Sequence, residues 1–152
     1  SKQGKLANAA DRDHCLQYMA AVPLIFGSLT AENYEDNFHE SHPIIDEIRE
    51  KMKVVEDERY TREYLEEDKR SISNAIQVYF KDGTSTDNVA VEYPIGHRRR
   101  RKEGIPLLEE KFRSNLATRF PGQRCDQIFA LCKTQASLEK TSVQDFLGLF
   151  VI

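Results

Sequence analysis

His14 and Tyr18 are the residues of this chain whose types and spacing could do proton chemistry. They lie four positions apart in the stretch Asp11–Gly27, and on a helix that spacing places the imidazole and the phenol on one face, one turn apart. An imidazole exchanges protons near neutral pH, and a phenol donates and accepts hydrogen bonds. The pair is a candidate for half of an active site. The competing interpretation is structural, because a His and a Tyr ending a buried helix are usually satisfied polar tips.

Five consecutive cations, Arg98–Lys102, form the second candidate site. Such a run can contact phosphates, but no aromatic residues are interleaved with it and no nucleic-acid-binding motif surrounds it. A solvated turn is therefore favoured over nucleic acid. A second interpretation stays open, in which the run is a local site for a carboxylate ligand or an acidic partner segment. Cations next to a helix N-terminus are disfavoured unless an anion lies among them.

The histidines and cysteines do not predict a metal site. No pair of them has the spacing of a zinc finger or ribbon, and no CxxC motif occurs. Three widely spaced cysteines favour free thiols and a reducing compartment. Cys125 and Cys132, seven apart, are typical of the core face of a helix.

Length and charge narrow the functional class. A chain of 152 residues predicts one domain, and 22 basic against 25 acidic residues, a net charge of −3, provide no global field for nucleic acid or an acidic membrane. No apolar run reaches the ~18 residues of a membrane-spanning helix.

The elements that must position these residues indicate an α+β fold, in which helices pack on a small antiparallel sheet. Asp11–Gly27 is predicted as one helix with an apolar stripe. Alternating residues around Asp82-Gly83 predict a β-hairpin over about 73–93 with one buried face. The C-terminal segment is predicted to be helical. The apolar stripe consists of Cys15, Met19, Val22 and Phe26, and the adjacent face consists of His14, Tyr18, Ala21 and Ile25. A further amphipathic helix is predicted over Gly104–Phe120, and its inward-facing residues are Leu107, Leu108, Phe112 and Leu116.

Shorter elements complete the prediction. Thr30 is predicted to cap a helix over Ala31–Asp36, and Ser41 to open another with Pro43 in its first turn. Ser142 is predicted to cap the last helix. The remaining predictions are a loop at Asn37–Glu40, a short strand at Lys53–Val55, an extended surface segment at Glu56–Arg70 and a helix at about Gln123–Gln135.

Several segments, in order, resemble the C-terminal part of the MmgE/PrpD family over about Ala7–Ile152. They read ADRDHCLQYMAAVPLIFG, LTAENYED, RSISNAIQVYFKDGT, VEYPIGHRRRRKEGIPLLEEKF and DFLGLFVI. The resemblance implies a lyase that removes water from 2-methylcitrate to give 2-methyl-cis-aconitate in propionate breakdown, without an iron–sulfur cluster or other cofactor. It implies a location in the mitochondrial matrix if the source is eukaryotic, and otherwise in the cytoplasm.

Family members have a large helical domain and a smaller α+β lid, and are usually dimers. By this resemblance residues 1–120 form most of the lid, and residues 121–152 are helices that return to an N-terminal helical domain absent from this sequence. The chain alone is then expected to be inactive, and the full-length enzyme to be a homodimer that takes a small tricarboxylate and binds neither nucleic acid nor membrane.

The resemblance also suggests roles for individual residues. A lid tyrosine that faces the substrate corresponds to Tyr18, with His14 as its support. Because the substrate is a tricarboxylate, Arg12, Arg98 and Arg99 are the candidate substrate-binding residues, and no residue is assigned to a metal. Two alternatives stay open: an enzyme that decarboxylates cis-aconitate, and a non-catalytic anion-binding or dimerisation module.

Overall fold

The computed structural model describes residues 4–151, and the contacts within the chain divide it into two compact units, Ser1–Asp57 and Glu58–Ile152. The predicted boundary at residue 120 stays a prediction. The helices are α1 (Ala9–Arg12), α2 (Leu16–Phe26), α3 (Asp36–Glu40), α4 (Ile44–Arg49), α5 (Glu58–Leu65), α6 (Arg101–Ala117), α7 (Gly122–Lys133), α8 (Gln135–Lys140) and α9 (Val143–Gly148); the strands are β1 (Asn74–Ile76) and β2 (Val89–Val91).

The stretch predicted as one helix over Asp11–Gly27 is two helices, so that prediction was wrong. The side chain of Asn8 caps α1 by accepting a hydrogen bond from the Asp11 amide at 2.9 Å. The backbone then becomes extended at Cys15, which starts α2. Asp is a weak helix former, because its side chain forms hydrogen bonds with neighbouring groups instead. Here an Asp13 carboxylate oxygen is bonded to the His14 Nδ1 at 2.5 Å. At the other end Gly27 adopts the left-handed backbone that is typical of a glycine after the last turn of a helix.

The core of the first unit includes two residues of the predicted stripe, Cys15 and Val22, together with Tyr18 and Ala21 from the adjacent face. Tyr18, Ala21 and Val22 are fully buried, whereas Phe26, at the end of the predicted stripe, is 40% exposed. Periodicity could not choose the face, because LQYMAAVPLIF is apolar on nearly every side. The residues that complete this core are Leu6, Cys15 and Ile45, with Ile25, Leu29, Tyr34, Phe38, Ile48 and Met52 packed against them.

The charged middle of the chain differs most from the prediction. Asn37–Glu40, predicted as a loop, belongs to α3, and Lys53–Val55 is not a strand. The segment Glu56–Arg70, predicted to be extended, contains the helix α5. Glu and Arg are good helix formers, so local propensity prevails where an apolar pattern is missing. Thr30 does form a capping box, with Asn33, but the element it starts is a 3₁₀ turn over Ala31–Tyr34.

The hairpin is confirmed, and its predicted buried face is not. β1 and β2 pair antiparallel, with Ile76 opposite Val89. Asp82-Gly83 makes the turn, in which the Asp82 carboxylate accepts a hydrogen bond from the Thr84 amide at 2.9 Å and Gly83 has φ +87°. All six strand residues are exposed. The alternation of the sequence is typical of a face that is covered, but the described residues of the second unit do not cover it.

In the second unit, α6 and α7 pack on each other around Leu116, Cys125 and Ile128. Helix α6 begins at Arg101, so it takes in the end of the basic run, and Leu107 and Leu108, predicted to face inward, are exposed. Four further apolar residues pack on this core: Phe112, Phe120, Leu149 and Phe150.

The last part of the second unit follows the prediction more closely. Ser142 caps α9 as predicted, accepting a hydrogen bond from the Asp145 amide at 3.0 Å. Cys132, predicted in the core, is exposed. The presence of helices together with a small antiparallel sheet confirms the α+β class. None of the helices within residues 4–151 is long and apolar enough to cross a membrane.

Candidate functional site

Arg12 lies inside the first unit. Its side chain is only 2% exposed, its Nε donates to the Tyr34 carbonyl oxygen at 2.8 Å, and its other nitrogen pairs with the Asp36 carboxylate. The guanidinium thus links α1 to the segment that leads into α3. Its Nε and one Nη have partners within the chain, so in this conformation Arg12 acts as a structural cation, and its predicted contact with substrate stays a prediction.

Tyr18 is fully buried, and its hydroxyl donates to the Asn33 carbonyl oxygen at 2.6 Å. Its ring stacks on that of Tyr34 with centroids 6.0 Å apart, and the His39 ring meets it edge-on at 5.5 Å. The hydroxyl therefore holds the 3₁₀ turn against α2. A catalytic role for Tyr18 stays a prediction, since a substrate could contact this hydroxyl only if it became accessible.

The protonation state of Tyr18 limits what it can do. Burial raises the pKa of the Tyr18 phenol above its ordinary value near 10.0; the Arg12 charge opposes that rise, while Asp46 and Tyr34 add to it. The phenol is therefore protonated at neutral pH. In a reaction it would be a hydrogen-bond donor or an acid, and it could not serve as the base.

His14 does not share a face with Tyr18. The extended backbone at Cys15 separates them, and the His14 side chain is 77% exposed, with its Nδ1 bonded to the Asp13 carboxylate at 2.5 Å. The structure thus brings Arg12 and Tyr18 to the same core and leaves His14 at the surface. Because the predicted pairing depended on one continuous helix, the break in that helix removes its geometric basis.

A network of polar side chains next to Tyr18, formed by His39, Asp46 and Arg49, was not predicted from the sequence. The His39 Nε2 is bonded to one Asp46 oxygen at 3.1 Å, and Arg49 Nε donates to the other at 2.9 Å. Arg49 also donates to the Gly4 carbonyl oxygen at 2.7 Å and is buried. The spacing of Asp46 and Arg49 by three positions was a usable signal for their pairing on a helix. The burial of Arg49 depends on a distant segment, since Gly4 lies 45 positions away.

The basic run belongs to the second unit, and much of its charge is used locally. Arg98–Arg100 forms a 3₁₀ turn. Arg99 donates to the Asp68 carbonyl oxygen, and its guanidinium lies 5.0 Å from the centre of the Tyr93 ring. Arg100 pairs with Glu103 at 2.8 Å, whereas Arg98 is exposed. Arg98 and Arg99, the two arginines predicted here to bind substrate, are both exposed, and that role stays a prediction.

A polar cavity of about 410 Å³ lies between α5 and the hairpin, in the second unit. At its wall Lys69 donates to the nearly buried Glu63 carboxylate at 2.6 Å, a hydrogen bond that raises the pKa of the Lys69 ammonium. The other residues that line it are Arg59, Tyr60, Ser73, Ala90 and Glu92. Within residues 4–151, no cluster of three His, Cys, Asp or Glu side chains could hold a metal ion.

Comparisons with known proteins identify the family to which the chain belongs. The family model for the MmgE/PrpD C-terminal domain matches residues 1–135. The chain is 54% identical over 151 residues to a 2-methylcitrate dehydratase of Cupriavidus necator, covering 99% of this chain and 31% of that protein. It is 50% identical to the 2-methylcitrate dehydratase of Escherichia coli (strain K12), with the same coverage. It is also 49% identical to "2-methylcitrate dehydratase, mitochondrial" of Yarrowia lipolytica, covering 99% of this chain and 28% of that protein.

The chain thus spans about a third of the length of the curated relatives it matches. The resemblance of its motifs, the family-model match over most of its length and the identity of about half to these relatives agree. This chain belongs to the MmgE/PrpD family.

Proposed function

We propose that residues 1–152 are the C-terminal part of a hydro-lyase that removes water from 2-methylcitrate to give 2-methyl-cis-aconitate. One observation carries the proposal: over 99% of its length the chain is 54% identical to a protein named 2-methylcitrate dehydratase. Identity of this extent leaves the fold and most side-chain environments shared. The decarboxylase and binding-module alternatives have no comparable support.

The proposed reaction needs more groups than this chain offers. Removing water next to a carboxylate requires a base for a carbon-bound proton, an acid for the leaving hydroxyl and cations for the carboxylates. The Tyr18 phenol is protonated and bonded to the Asn33 carbonyl. His14 lies at the surface, paired with Asp13. We therefore assign the base and most of the charge recognition to the part of the longer protein that lies outside residues 1–152.

The partners and compartment follow from the same proposal. The relatives are about three times longer than this chain, which is consistent with an N-terminal helical domain against which residues 1–120 act as a lid and to which residues 121–152 return. The full-length enzyme is then a homodimer. The name of the Yarrowia relative supports a mitochondrial location for a eukaryotic source, and the proposal gives a bacterial protein a cytoplasmic one.

Dehydratase turnover by the longer protein and by residues 1–152 alone tests this division of labour. The longer protein is expected to convert 2-methylcitrate, and the 152 residues alone are expected to show no turnover above buffer, because the base is missing. A control mixture of the separately expressed halves checks whether the two parts can reassemble. Clear turnover by the 152 residues alone would contradict the proposed assignment of the base.

Replacement of Tyr18 by phenylalanine tests the predicted donor. In the longer protein Tyr18→Phe is expected to lower the free energy of unfolding by about 1–3 kcal/mol, because the half-buried Asn33 carbonyl loses the buried hydroxyl that donates to it. We also expect lower kcat at temperatures where the variant stays folded. The matched control is Tyr79→Phe, which removes an exposed hydroxyl bonded to Gln77. Unchanged kcat in Tyr18→Phe would leave the hydroxyl a purely structural group.

A further inference from the structure

The two faces of the hairpin are in different environments. Because cross-strand partners lie on the same side of a sheet, the register places Ala75 and Ala90 on one face and Ile76 and Val89 on the other. Ala90 lines the polar cavity together with residues of α5. Helix α5 thus lies over the first face, and the second face is turned away from it.

The face turned away from α5 is apolar and uncovered. We call it the outer hairpin face and define it by Ile76, Val89 and Val91. These side chains are 40%, 56% and 46% exposed, and Val91 lies opposite Asn74, so no charged residue interrupts the patch. Alternation of this kind is typical of strands with one buried side. A two-stranded sheet is also marginal without packing on its apolar face.

We infer that the outer hairpin face packs against an apolar surface of the longer polypeptide, supplied by sequence outside residues 1–152. This rests on the proposed function only in requiring that such a polypeptide exists. The relatives support this occupant, because about two thirds of their length has no counterpart in this chain. A sheet between two layers is a common solution for burying both of its faces, and here α5 lies across the polar cavity on the side of the first face.

A photo-cross-linking amino acid tests the inference in the longer protein. With p-benzoylphenylalanine at position 89, irradiation is expected to join this position to a peptide outside residues 1–152 of the same polypeptide, identified by mass spectrometry. The matched control is position 55, where the native valine is 83% exposed and no cross-link is expected. A cross-link to residues 4–57, a cross-link to a second copy, or no cross-link at all would overturn the inference.

Hydroxyl-radical footprinting of the unsubstituted longer protein covers the case in which the bulky probe prevents folding. Val89 is expected to be oxidised several-fold more slowly than Val55, although their exposures within this chain are 56% and 83%. Oxidation of Val89 in proportion to these exposures would overturn the inference. Neither measurement depends on turnover, so an inactive protein with a covered Val89 would refute the proposed reaction alone, and an active protein with an open Val89 would refute the covered face alone.

Discussion

Replacing Gly104 by alanine is expected to lower the free energy of unfolding by about 3 kcal/mol. Gly104 is buried in α6, and a Cβ added there would overlap the carbonyl oxygen of Ile95 and lie 3.3 Å from its carbonyl carbon. Both are backbone atoms, so relief requires α6 to move away from the segment that precedes it. Chemical denaturation of the wild type and the variant measures the difference.

Gly122→Ala is the matched control for this substitution. Gly122 starts α7, and nothing lies within 4 Å of the Cβ position. Alanine is the better helix former, so this variant is expected to be unchanged or slightly more stable. If Gly104→Ala were as stable as Gly122→Ala, then α6 would not lie against Ile95 as described.

Replacing Arg12 by methionine is expected to cost about 2–4 kcal/mol of unfolding free energy. Methionine fills much of the same volume but cannot donate, so the Tyr34 carbonyl loses the guanidinium that now reaches it at 2.8 Å. The loss of the Asp36 pair contributes little, because that carboxylate is itself mostly exposed and remains hydrated. Denaturant unfolding monitored by far-UV circular dichroism measures the loss.

Two variants separate the buried role of Arg12 from an ordinary ion pair. Asp36→Asn is expected to cost less than about 1 kcal/mol, since one partner of that pair is exposed. Arg113→Met removes a surface pair with Asp126 at 2.7 Å and a guanidinium over the Phe129 ring, for an expected loss of about 1 kcal/mol. If Arg12→Met cost no more than these two, then Arg12 would not anchor the first unit.

Local signals in the sequence were sufficient for several elements. Asp82-Gly83 predicts the hairpin turn, because glycine reaches the positive φ that the turn requires, and Ser142 predicts the start of α9, because its hydroxyl satisfies a free backbone amide. Both depend on residues within four positions of each other. The α+β class follows from such signals, and the family follows from motifs spread over the whole chain.

What the sequence could not predict depends on long-range contacts. Arg12 is buried because its acceptors lie on Tyr34 and Asp36, more than twenty positions away, and no local pattern marks a cation for burial. The break in the helix before Cys15 was likewise not predicted from the sequence, and it changed the candidate site. A short backbone change separated His14 from Tyr18, two residues that helical spacing had placed on one face.

The charged helix α5 was missed for a different reason. Its sequence has few apolar residues, and Glu63 is buried through an ion pair with Lys69 beyond the helix end. Periodicity of apolar residues cannot detect a face formed in this way. The exposed hairpin is the reverse case, in which the alternation was correctly identified but the described residues of the second unit do not supply the cover it predicts.

The most direct test of the proposed function is the product formed by the longer protein that contains this chain. Purified protein is incubated separately with 2-methylcitrate and with cis-aconitate, and the products are followed by NMR while carbon dioxide is measured in parallel. We expect 2-methyl-cis-aconitate from the first substrate and no carbon dioxide from the second. Release of carbon dioxide from cis-aconitate, with 2-methylcitrate left intact, would contradict the assignment as a dehydratase.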